Sequence, residues 1–146
     1  MHIVEQLWGR GEVPYRDGLY RVGGGSRALW GGGPGVYHPD AGQPVPFLVG
    51  EPLDVAQVVA EYGTCEVDVW FKSPLPDGSG WVLGGGGGMG NVGHLARLGA
   101  DRSLRWVALM ESSNPFLGVR HDGTLAVFTN DWQNLLSLDL DDPLLR

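Results

Sequence analysis

Cys65-Glu66-Val67-Asp68-Val69-Trp70-Phe71-Lys72 places Cys65, Val67, Val69 and Phe71 on one side of an extended chain and Glu66, Asp68, Trp70 and Lys72 on the other. Period-two patterning of this kind is the signature of a strand that buries one face. The loop from 73 to 80, with the turn Pro76-Asp77-Gly78, leads back into Trp81-Val82-Leu83, which predicts an antiparallel hairpin. Upstream, Val55, Val58, Val59 and Tyr62 follow a 3.6-residue period between Pro52 and Gly63, which predicts a helix over 52–62. A short second helix is expected over 91–100, where His94, Leu95 and Leu98 can share a face, although Gly93 and Gly99 weaken it.

Downstream, 105–110, 116–120, 124–129 and 135–140 read as strands, the last alternating Leu136, Leu138 and Leu140 with Ser137 and Asp139. The C-terminal third therefore reads as a meander that ends at Asp141-Asp142-Pro143. Asp17-Gly18 and His121-Asp122-Gly123 read as further turns, and His38-Pro39-Asp40 as a loop. Glycine runs at 23–25, 31–33 and 84–88 are expected to break regular structure, the last as a surface loop. The expected fold class is α+β: one domain over 1–146, mostly antiparallel β-sheet, arranged as a meander or small sandwich.

Seventeen Asp and Glu against ten Lys and Arg give a formal net charge of -7. Binding to phosphate backbones or anionic lipids rests on clustered cations, so neither nucleic acid nor membrane is an expected partner. A basic protein is, and its encounter would be accelerated by the same field. Cys65 is the single cysteine and has no partner for an internal disulfide. Residues 1–8 include Glu5 and no basic region ahead of an apolar run, so no secretory leader is expected, and cytoplasmic localisation follows. No apolar run is long enough to span a bilayer.

Three constellations compete for function. Gly85, Gly87 and Gly90 fit G-x-G-x-x-G after an apolar strand, and Glu111, 21 positions after Gly90, would reach a ribose hydroxyl. This is the enzyme alternative, a dinucleotide-binding protein or nucleotide-dependent oxidoreductase. Five consecutive glycines satisfy that spacing whatever their role, and the 35 residues after Glu111 are too few to complete such a sheet. Cys65 is in phase with Val67 and Val69, which points to burial over nucleophilic catalysis by a Cys-His pair. His2, His38, His94 and His121 show no metal-ligand spacing, so neither metal nor cofactor is expected.

The third constellation is electrostatic. Glu51, Asp54, Glu61, Glu66 and Asp68 fall in a segment that holds no Lys or Arg before Lys72. Glu66, Asp68 and Trp70 share the face opposite the core set, two carboxylates beside a large aromatic, with Glu61 in support. Such a face suits a basic groove on a protein partner. Six tryptophans also leave room for a structural or oligomer-forming module.

Trp81-Val82-Leu83 with its glycine run, followed by the strands Leu125 to Thr129 and Leu136 to Leu140, resembles small proteins of GC-rich actinobacteria. Nine Arg against one Lys fits such a genome. In size and acidity the chain is similar to cytosolic immunity proteins, which neutralise a sister toxin by masking its active site. That resemblance implies a toxin as the basic partner, with no catalytic residue, and transfers no family residue to this chain.

Overall fold

The computed structural model describes residues 2–30, 44–46, 48–122 and 125–143. The elements run α1 (Ile3–Gly9), β1 (Glu12–Pro14), β2 (Gly18–Arg21), β3 (Ser26–Leu29), β4 (Pro44–Pro46), β5 (Val49–Leu53) and α2 (Val55–Tyr62). They continue with β6 (Thr64–Pro74), β7 (Gly80–Gly87), β8 (Val92–Gly99), β9 (Leu104–Met110), β10 (Phe116–Asp122), β11 (Leu125–Asn130) and β12 (Leu135–Asp139). An eight-stranded sheet has the order β1-β6-β7-β8-β9-β2-β3-β5, and a four-stranded sheet the order β10-β11-β12-β4. Among the described residues every pairing is antiparallel except that of β12 with β4.

Both faces of the large sheet are covered. Leu95, Trp106, Ala108 and Met110 pack against Phe116, Phe128, Leu136 and Leu138 of the small sheet. Leu83, Ala96, Val107 and Leu109 belong to a second core with Val4 of α1 and Val55 of α2. The order of layers is thus helices, large sheet, small sheet. A strand buried on both faces needs apolar residues at every position, which explains the unbroken run Trp106 to Met110. The two helices owe their stability to this docking, since segments of seven and eight residues are too short to hold alone.

The expected α+β class, the hairpin of β6 with β7, and the β10–β12 meander are all present. The strand 104–110 belongs to the large sheet, so the meander begins only at Phe116. The helix expected over 52–62 is α2, but it begins at Val55, because Pro52 and Leu53 close β5 and Asp54 caps the helix by accepting from the Gln57 amide. The short helix expected over 91–100 does not form. That segment is β8, buried on both faces between β7 and β9, and its Gly93 and Gly99 are tolerated where a helix would be penalised. The second helix is instead α1, whose cap His2 accepts from the Val4 amide while Glu5 accepts from the His2 amide.

Gly84 to Gly87 lie within β7, buried between β6 and β8, and only Gly88 and Gly90 occupy the following turn. The reason is close approach. A Cβ on Gly86 would lie 2.9 Å from Pro115, and one on its neighbour Gly93 would lie 2.2 Å from Ser113 Oγ and 2.4 Å from the Asn114 carbonyl. The segment linking β9 to β10 crosses the sheet at this pair, and side chains there would push the layers apart. The loop at His38-Pro39-Asp40, the glycines 31–33 and Gly123 lie outside the described residues.

Candidate functional site

The face of β6 changes character along its length. Cys65 and Val67 join the core under the helices, so Glu66 and Asp68 face the small-sheet side. A bulge between Val69 and Phe71 then shifts the pairing with β7, and Phe71 turns onto the small-sheet side, against Phe128 at 6.3 Å between ring centroids. The expected grouping of Phe71 with Cys65 and Val67 is therefore broken by one extra residue, Trp70. Before the bulge the small sheet does not cover β6, and after it Phe71 is covered. Lys72 ends on the helix side, its ammonium 4.8 Å from the centre of the Trp81 ring, and so does not neutralise the carboxylates.

Trp70 is 54% exposed. Its ring passes over the glycine strand: a Cβ on Gly85 would lie 2.9 Å from Trp70 Cδ1, and one on Gly86 would lie 3.4 Å from Cζ2. The indole therefore has one supported side and one side open to solvent. Glu66 and Asp68 are exposed beside it, and Glu12 of β1 stands directly across from Glu66. Glu12 is paired with Arg10 at 3.6 Å, whereas no ion pair among the described residues reaches Glu66, Asp68 or Glu61. Three carboxylates thus share one sheet face at its outer edge.

A shallow depression of about 340 Å³ lies at the same end, lined by Tyr15, Thr64, Cys65, Glu66, Asp68, Gly88 and Met89. Met89, at the tip of the β7–β8 turn, is 95% exposed. Val69, half-exposed on the helix side of the bulge, adds a second apolar side chain. Sequence patterning assigned Val69 to the core and gave Glu12 and Met89 no role. The turn position of Met89 between Gly88 and Gly90 is a readable signal for its exposure.

Glu61 is placed elsewhere. It sits on α2 and lines a separate cleft with Arg16, Glu51, Asp54 and Gln57, on the helix side of the sheet. Arg16 donates to Glu51 at 2.9 Å and stacks on Tyr62, so the acidic stretch 51–68 is partly neutralised from outside its own segment. Trp30 and Trp132 are also half-exposed, while Trp106 is buried and donates its ring N–H to the Leu140 carbonyl.

The residues of the dinucleotide alternative do not assemble into its geometry. Gly85 and Gly87 are held in the ladder with both neighbouring strands, so their backbone groups are committed to sheet pairing, and the turn leads into a strand, not a helix N-terminus. Glu111 donates its backbone N–H to the Asp17 carboxylate, and burial pushes both carboxyl groups above their usual range. Cys65 is buried, and burial pushes its thiol up as well, which leaves it a poor nucleophile. No cluster of three His, Cys, Asp or Glu side chains able to hold a metal is present among the described residues. Nor is any helix among them long and apolar enough to cross a membrane.

Comparison with protein-family models, with curated proteins and with solved structures finds no match to this chain.

Proposed function

We propose that the chain is an acidic protein-binding module, and specifically an immunity-type protein that masks a basic groove on a toxin. The observation that carries this reading is Trp70, half-exposed on a glycine floor beside Glu66 and Asp68, carboxylates without a cation of their own chain among the described residues. Arginine or lysine side chains lining the partner's groove would pair with the two carboxylates. The indole would fill the space between them or stack on a guanidinium. Because the ring rests on β7, little side-chain freedom is lost on docking, and more of the contact energy remains as affinity. Occupying the groove excludes its substrate, which is neutralisation without catalysis.

The test is co-expression with the protein encoded beside this chain. Its product, toxic alone, should be rendered harmless by the native chain, and the Glu66→Lys, Asp68→Lys double variant should fold but fail to protect. A harmless neighbour that does not bind, or full protection by the double variant, overturns the proposal.

A further inference from the structure

β6 is the longest strand of the large sheet, at 11 residues, yet β1 pairs with it only over Thr64 to Glu66. The Val67 amide then donates to the Gly11 carbonyl, and there the chain leaves the edge, turned away at Gly11 with φ of 73°. Beyond that point β6 is paired on one side only among the described residues, by β7. Val67 directs its amide away from β7, so Val69, two residues on, presents its N–H and carbonyl along the same open edge. Exposed edges are templates for another strand.

We infer that the partner docks by adding an extended segment to the β6 edge at Val69, in line with β1. This rests on the protein-binding reading above and specifies its geometry. The side chains flanking the edge fix the chemistry of the segment. On one face it meets Glu12, Glu66, Asp68 and Trp70; on the other it meets Val69. Side chains of an added strand alternate between those faces, so the fitting segment carries Arg or Lys at every second position and β-branched apolar residues between them. The bulge at Trp70 and the cation of Lys72 beyond it limit the open ladder to a short stretch. These features disfavour indiscriminate strand pairing and leave recognition dependent on the side chains. A second copy of this chain is a poor occupant, since each carries a net charge of -7.

The probe is a short synthetic peptide alternating arginine and valine, compared with the same peptide N-methylated at every second residue. N-methylation removes backbone donors and keeps the charge. The unmodified peptide should bind saturably, slow hydrogen exchange at the Val69 amide, and bind roughly fivefold more tightly than the methylated one, as expected for the loss of the hydrogen bond that the Val69 carbonyl accepts. Equal binding of both peptides would retain the acidic face as a docking site and overturn strand addition. Binding of neither would overturn strand addition together with the charge reading beneath it. Concentration-dependent dimers that protect Val69 would identify a second copy as the occupant and overturn the inference.

Discussion

Acidification should destabilise the fold through His94, and the size of the effect follows from where the imidazole sits. His94 is fully buried under Trp8, with ring centroids 6.1 Å apart, and its Nδ1 is 3.0 Å from the Gly86 carbonyl. Nδ1–H donates to that carbonyl, which leaves Nε2 as an unprotonated, buried atom with no hydrogen-bond partner. Burial lowers the pKa from 6.5 to about 4. Below 6.5 the unfolded chain therefore takes up a proton that the folded chain refuses. Stability from this group is complete above 6.5, is lost as pH falls toward about 4, and changes no further below that. The gap corresponds to about 3 kcal/mol, most of it gone by about pH 4.5. The raised carboxyls of Asp17 and Glu111 act in the opposite sense, because the folded chain holds their protons more tightly. The assay must therefore isolate His94. Urea unfolding of the native chain and of His94→Phe, followed by tryptophan fluorescence between about pH 7.5 and pH 4.5, gives that difference. The native chain should lose roughly 2–3 kcal/mol more than the variant over this range. Parallel curves, or an imidazole titrating near its ordinary value in NMR spectra of the native protein, would show that burial of His94 does not set the acid sensitivity.

Gly93→Ala should cost about 2–3 kcal/mol, read as a melting temperature lowered by roughly 5–10 °C, because its methyl group meets Ser113 and a backbone carbonyl. Gly25→Ala, with open space at its Cβ, should stay within about 0.5 kcal/mol and serves as the control. Phe128→Ala should remove about 3–5 kcal/mol, since it opens a cavity between Phe71 and Phe116 at the contact of the two sheets, as measured by denaturant unfolding. Cys65 should resist a thiol reagent in the native protein and react at once in urea, because it is buried with a raised thiol pKa.

The sequence made the antiparallel architecture readable where only one face of a strand is covered. Cys65 to Asp68 alternate because helices cover one side and solvent the other. The pattern misleads at Trp70, since a bulge is set by where the second sheet begins, and nothing local to Val69-Trp70-Phe71 encodes that boundary. β8 was ambiguous for a related reason: burial on both faces erases alternation, leaving His94, Leu95 and Leu98 at spacings a helix also satisfies. Glycine propensity is a local quantity, whereas Gly86 is fixed by Pro115, a contact 29 positions away in the chain. At the candidate site, patterning placed Glu66, Asp68 and Trp70 on one face, and this is where they lie. It could not separate Glu61 from them, because sequence proximity does not say which side of a sheet a helix will occupy.

On the proposed reading, an uncancelled acidic face with a supported indole is what this molecule presents to a partner. The most direct measurement is the affinity of the neighbouring gene's product for the native chain, for Asp68→Lys and for Trp70→Ala, with the thermal stability of each checked alongside. Each variant should lose at least about tenfold in affinity at near-native stability, and binding should weaken as salt is raised. Tight binding that neither substitution nor salt alters would contradict that reading.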